Sequence, residues 1–169
     1  MACSQCVERP VRDALCARCF SRRVQKRIKA ALRGTLDEKD VVVFLQVADR
    51  RAEAVVLEHV MRSVLGASHR QIVVGATRPS VPHRLVLPDT VDDVLVRALD
   101  HVARTGSAPA DAGAIMPLSR ISRGECELVA SDLGLEFEVM RSNSFPGIDQ
   151  IEEKYPGTKA TLAKALGLF

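Results

Sequence analysis

Four cysteines near the amino terminus are the residues best placed to do chemistry. They stand as Cys3-x2-Cys6-x9-Cys16-x2-Cys19. Each CxxC pair can grip one metal ion from a tight turn, and four thiolates fill the tetrahedral shell that structural zinc prefers. Nine intervening residues are enough for the chain to fold back on itself. The spacing predicts a closed zinc knuckle whose ion is structural, not catalytic. Two redox-active dithiols are the alternative, but neither pair has a strand-to-helix context. The fifth cysteine, Cys126, falls on the apolar face of a predicted helix and reads as a buried, inert thiol.

A second chemical feature follows the cysteines directly. Residues 20–32 (FSRRVQKRIKAAL) carry Val24, Ile28, Ala31 and Leu32 at helical spacing, with Gly34 as the expected stop. Around the apolar stripe stand Arg22, Arg23, Lys26, Arg27, Lys29 and Arg33, each a candidate for phosphate contact. The first 35 residues hold nine Lys/Arg against Glu8 and Asp13, a net +7, whereas the remainder is net −4. Such polarity suits a polyanionic partner docking at one end, and RNA is the expected one. An ordinary solvated helix face is the bland reading of the same residues.

The third feature is an absence. Residues 41–47 (VVVFLQV) read as a strand buried on both faces of a parallel sheet. A helix follows, and that junction is where α/β nucleotide-binding domains place a glycine-rich phosphate cradle. Here the junction reads Gln46, Val47, Ala48, Asp49, Arg50, Arg51, without glycine. Cβ atoms and an aspartate would occupy the anion position, so ATP binding in the usual manner is not expected.

The elements that must position these residues alternate along the chain. Residues 37–40 form a charged turn, and a helix spans 49–64. Strand candidates fall at 72–74 and 85–87, with a loop at 77–82. Thr90 is the expected N-cap of a helix over 91–104, with Asp92 and Asp93 in its first turn. Residues 105–113 look like a mobile surface loop. Ser122 with Glu125 forms a capping box for a helix to about 133. A strand follows at 135–140, a loop at 141–147, and short helices at 148–154 and 158–166, divided by Pro156 and Gly157. Alternating strands and helices predict a parallel α/β sheet. The expected division is 1–35 for knuckle and basic helix, and 36–169 for the α/β domain.

Composition narrows the classes. The 169 residues are 47% hydrophobic and 27% charged, enough for a sizeable aliphatic core. Aromatics are 4%, with no Trp and one Tyr, so stacking platforms for single strands are not expected. The apolar run 41–47 is too short to span a bilayer and the amino terminus lacks a hydrophobic targeting core, so a cytoplasmic protein without membrane contact is expected.

Together these blocks resemble the PP-loop ATPases of tRNA wobble-uridine 2-thiolation, the cytosolic tRNA thiouridylases. The amino-terminal block, from Cys3 and Cys6 through Cys16, Ala17, Arg18, Cys19 and Phe20, resembles the family's zinc finger and basic helix. Asp92 and Asp93 resemble its Asp-Asp stretch behind the third strand. Pro117 and Leu118, followed by the Glu125 helix, are similar to the segment after its middle loop. The most specific block is Glu152-Glu153-Lys154-Tyr155-Pro156-Gly157-Thr158-Lys159. The resemblance implies a Rossmann-like, adenine-nucleotide-alpha-hydrolase-like PP-loop sheet with an amino-terminal zinc knuckle.

The departures matter as much. Family enzymes carry SGGxDS where this chain has Gln46 to Arg51, and Gly-His-Asn where it has Pro88-Asp89-Thr90. Their mid-domain CxxC is absent, and the late loop reads Arg141-Ser142-Asn143-Ser144-Phe145, without a thiol. The family's carboxy-terminal zinc finger is not expected after Phe169. Gln46, Asp49, Arg50, Asp92 and Asp93 are thus read as a degenerate nucleotide site, and an iron–sulfur cluster is not expected. The implied role is a non-catalytic subunit or paralogue that binds tRNA, pairs with an active thiolase subunit or with itself, and meets a ubiquitin-like sulfur carrier. The alternatives are a tRNA-thiolating enzyme with a rearranged site, and a zinc-ribbon interaction module. The module reading would require the apolar row Val94, Leu95, Ala98, Leu99 and Val102 to bury against another chain.

Overall fold

The structure, a computed structural model, describes residues 3–6, 15–36, 41–44, 51–65, 72–74, 84–107, 113–139 and 146–168. The expected turn at 37–40, the loop at 77–82, part of the 105–113 loop, most of the 141–147 loop, and Gln46, Asp49 and Arg50 lie outside the described residues.

Helix α1 (Ala17–Thr35) forms because Phe20, Val24, Ile28 and Leu32 recur every fourth residue and all bury. Each such side chain stabilises by roughly 1.5–3 kcal/mol relative to exposure. The helix runs one residue past Gly34. Thr35 Oγ1 donates to the Ala31 carbonyl at 2.9 Å, and the Leu36 N–H donates to Leu32 O at 3.1 Å. Those two bonds, with the burial of Leu36, hold the final turn despite the entropy cost of glycine.

Strand β1 (Val42–Phe44) is the centre of a parallel sheet ordered β2-β1-β3, with β2 at Ile72–Val74 and β3 at Arg84–Val86. Val42 pairs with Ile72 on one side and Arg84 on the other. All three β1 residues are fully buried, as a strand covered on both faces must be. Ile115 adds one parallel bridge beside β3, through its N–H to Leu85 O at 2.8 Å and its carbonyl from Leu87 N at 2.9 Å. The strand expected at 135–140 is not one. Among the described residues a single bridge joins Glu138 to Arg51. Arg51 is followed at once by α2 (Ala52–Leu65), so the ladder has nowhere to continue.

Helix α3 (Val91–Thr105) starts as expected at Thr90. The Asp93 carboxylate accepts from the Thr90 N–H at 3.0 Å and from its hydroxyl at 2.7 Å. It stops at Gly106, whose φ of 72° few other residues adopt without strain. Helix α4 (Arg123–Asp132) carries the predicted capping box: Glu125 N–H to Ser122 Oγ at 3.3 Å, and Ser122 N–H to Glu125 Oε2 at 2.8 Å. Helices α5 (Pro146–Lys154) and α6 (Thr158–Ala165) form a hairpin. Its turn is clasped by Glu152, whose two oxygens accept from the N–H groups of Gly157 and Lys159 at 2.8 and 2.7 Å. Tyr155, 59% exposed, lies at this turn under the Lys154 ammonium, 5.4 Å from the ring centre.

One apolar cluster runs from Cys3 and Cys16 through α1 to β1, α2 and α4. A second, small one joins Val91 and Leu95 of α3 to Ala163 of α6. Val94, Leu95 and Ala98 bury inside this chain, whereas Leu99 and Val102 of the same row are half-buried. No helix among the described residues is long and apolar enough to cross a membrane.

Candidate metal centre and strand-end cluster

The chain brings the four amino-terminal cysteines together at the start of α1. Their Sγ atoms all lie within 4.8 Å of one another. Cys6 and Cys16 approach to 3.4 Å, and Cys6 and Cys19 to 3.8 Å. Cys16 is the N-cap of α1, its sulfur accepting from the Cys19 N–H at 3.5 Å, and Cys19 sits in the first turn. Two of the four sulfurs are thus fixed by the helix itself, at the end where its dipole favours negative charge. Burial alone would push the Cys3 thiol up. Backbone donors from Gln5, Cys16 and Cys6 outweigh it and bring the thiol down to about 6, toward the thiolate that metals require.

The donor set fits a metal. A tetrahedral ion bound at about 2.3 Å places its sulfurs roughly 3.8 Å apart, close to the contacts seen here. Four thiolates are equally the ligand set of iron–sulfur clusters.

Along α1, Arg22, Arg23, Lys26, Arg27 and Arg33 are exposed and Lys29 is half-buried. Arg27 is committed elsewhere. Its Nη1 pairs with Glu125 Oε1 at 3.0 Å and its Nη2 donates to the Arg120 carbonyl, tying α1 to the start of α4. The others make no ion pair with a described residue. Exposed Arg18 extends the row one turn toward the cysteine group, so Arg18, Arg22, Lys26, Lys29 and Arg33 form one stripe at steps of four, four, three and four. The spacing of Arg18 to Arg22 was the available signal for it.

At the strand ends, Asp92 and Asp93 enter a network that spacing did not reveal. Asp92 Oδ2 accepts from the Arg123 N–H at 2.7 Å, while its Oδ1 pairs with Lys159, which also meets Asp149 at 2.5 Å. Burial works against the Lys159 ammonium, but Asp149 and Asp92 outweigh it and raise its pKa. Asp93 Oδ1 binds Arg123 Nη2 at 2.8 Å. Glu53 Oε1 stands 3.4 Å from both Arg51 Nη1 and Arg123 Nε. Beside this network a cleft of about 540 Å³ opens, lined by Asp92, Arg123, Glu127, Asp149, Glu152 and Lys159. Glu53 and Arg123 were not singled out from sequence, and Lys159 entered only as the last residue of the Glu152–Lys159 block. The one local signal was an acid, Glu53, among the buried Ala52, Ala54, Val56 and Leu57. Cys126 is fully buried and its thiol is pushed well up by burial, then by Glu53 and Glu125, so it is inert.

A three-stranded parallel sheet with helices packed on it, led by four clustered cysteines that could hold a metal ion, defines an α/β fold. No family model matches the chain, and no curated protein matches it in sequence. Among solved structures it is similar to the U34-tRNA thiolase NcsA from Methanococcus maripaludis with its [4Fe-4S] cluster. The TM-score is 0.66 at 12% identity, covering 99% of this chain and 86% of that one. One expectation is thereby corrected. An iron–sulfur cluster was set aside because the mid-domain and late-loop cysteines are missing. A thiolase of the same fold holds such a cluster, and the four amino-terminal cysteines supply a thiolate set that can hold one.

Proposed function

We propose that this chain serves tRNA thiolation as a non-catalytic, tRNA-holding member, a degenerate relative of the cytosolic tRNA thiouridylases. The observation that carries this reading is the placement of the four-thiolate group on the N-cap and first turn of the basic helix. Metal bound by Cys3, Cys6, Cys16 and Cys19 cross-links the amino-terminal segment and fixes the end of α1. The stripe from Arg18 to Arg33 then presents cations along one face, where phosphates give salt-dependent affinity. The tRNA-thiolase fold supports tRNA as the polyanion. The paired charges at the strand ends support holding over reacting. An active thiolase subunit or a second copy completes the working assembly, in the cytoplasm, with a ubiquitin-like sulfur carrier as sulfur source.

The test is tRNA affinity measured against salt concentration, with and without an active thiolase. The expected result is a steep linear loss of log affinity with log salt, and no heat on titrating ATP with magnesium. Salt-independent or absent tRNA binding would sink the reading. Tight ATP binding would favour the rearranged enzyme instead. Iron, sulfide and zinc content of anaerobically purified protein identifies the metal.

A further inference from the structure

Helix α1 carries arginines and lysines along its whole length and holds no acidic residue (ARCFSRRVQKRIKAALRGT). Arg18, Arg22, Lys26, Lys29 and Arg33 recur on it at steps of four, four, three and four. At about 100° per residue those steps confine the five cations to an arc of roughly 80°, and at about 1.5 Å per residue they extend it to roughly 22 Å. The result is a straight, narrow line of charge. It is also stiff. Phe20, Val24, Ile28 and Leu32 bury another side of the helix, and Arg27 ties it to Glu125 and to the Arg120 carbonyl. No aromatic ring stands beside the line. Phe20, the one aromatic of α1, is 2% exposed, and the exposed aromatic among the described residues is Tyr155, on the turn between α5 and α6.

We propose that the Arg18–Arg33 line takes paired RNA: a stem of the tRNA, not an unpaired loop, lies along α1 through its sugar–phosphate backbone. This inference rests on the tRNA-holding role proposed above and specifies which part of the RNA is held. A duplex presents its phosphates already fixed in rows, so a stiff line of cations meets them without first ordering the RNA. An unpaired strand has to be ordered along the helix, and proteins that bind one normally offset that ordering by stacking bases on aromatic rings. The line provides none. The major groove of an RNA duplex is too deep and narrow for side chains to read. The helix therefore lies beside the wide, shallow minor groove, where phosphates and 2′-hydroxyls are displayed. Recognition there is by shape and charge, so the sequence of the stem goes unread.

The experiment uses the full-length, metal-loaded chain with three probes: intact tRNA, a blunt RNA duplex of about 16 base pairs, and an oligouridylate with the same number of nucleotides. The variants are Lys26→Gln alone, Arg18→Gln with Lys26→Gln and Arg33→Gln, and Arg104→Gln as an exposed cation on α3. Duplex and tRNA should bind alike, and the oligouridylate about tenfold more weakly or worse. Log duplex affinity should fall against log salt with a slope near −4.5, five contacts at roughly −0.9 each. The triple variant should lose roughly two to three units of that slope, Lys26→Gln about one, and Arg104→Gln none. If the triple variant melts early, Lys26→Gln carries the comparison. Oligouridylate bound as tightly as the duplex, or Arg104→Gln lowering the slope as much as Lys26→Gln, overturns the stem inference and leaves the tRNA-holding role standing. Failure to bind any of the three RNAs overturns both.

Discussion

The two charged regions of this molecule handle charge in opposite ways. Along α1 the cations are exposed or half-buried, and among the described residues only Arg27 is drawn into an internal pair. At the strand ends every cation has a carboxylate beside it: Arg51 and Arg123 meet Glu53, Arg123 also meets Asp93, and Lys159 sits between Asp92 and Asp149. A surface that leaves charge uncompensated is available to a polyanion. A cluster that compensates internally is part of the scaffold. The contrast teaches that position at the sheet's end does not by itself make a reactive site; what counts is whether the charges there remain unspent.

The most damaging way to break the contrast is Cys16→Ser. Serine keeps an oxygen to cap α1 but removes a metal ligand. Metal content should fall, tRNA binding should vanish, and amide exchange should show the amino-terminal segment open while α2 and α4 stay protected. Next is Arg123→Met, which leaves Glu53 with Arg51 alone and takes the guanidinium from Asp93. It should cost about 3–5 kcal/mol in urea unfolding while leaving the salt slope of tRNA binding unchanged. The double substitution Arg22→Ala with Arg23→Ala should do the reverse. It should lower the salt slope by roughly one to two units with stability within about 0.5 kcal/mol of wild type. Ser122→Ala removes half of the α4 capping box and should cost about 1 kcal/mol. Smallest is the pH effect of Lys159. Its folded pKa is raised, so the stability it contributes is fully present below the ordinary value of 10.5 and is lost only as pH climbs through the folded one. Unfolding midpoints should therefore show no Lys159 contribution to any change between neutral pH and that value. Lys159→Met should flatten the decline above it.

Local signals were readable because they act within a few residues. The Cys3 to Cys19 spacing, the Ser122–Glu125 box and the β-branched run at Val42–Phe44 each declare themselves in one turn or one strand. The α/β parallel architecture followed from their alternation. The strand-end network did not declare itself, because Glu53, Asp93, Arg123 and Lys159 meet only once the sheet brings distant segments together. The strand expected at 135–140 failed for a related reason: a strand needs a partner of matching length, and Arg51 supplies a single rung. Arg27 looked like its neighbours in sequence, and only the arrival of Glu125 on α4 sets it apart. An iron–sulfur cluster was set aside at the sequence because spacing specifies four sulfurs but not the centre they hold.

The exposed ring of Tyr155 has an optical consequence. The chain has no tryptophan and no other tyrosine, so intrinsic tyrosine emission arises from one place, the turn joining α5 to α6. Quenching by an added partner would report contact at that hairpin directly. Unchanged emission with tRNA bound would place the nucleic acid away from it, with no dye attached.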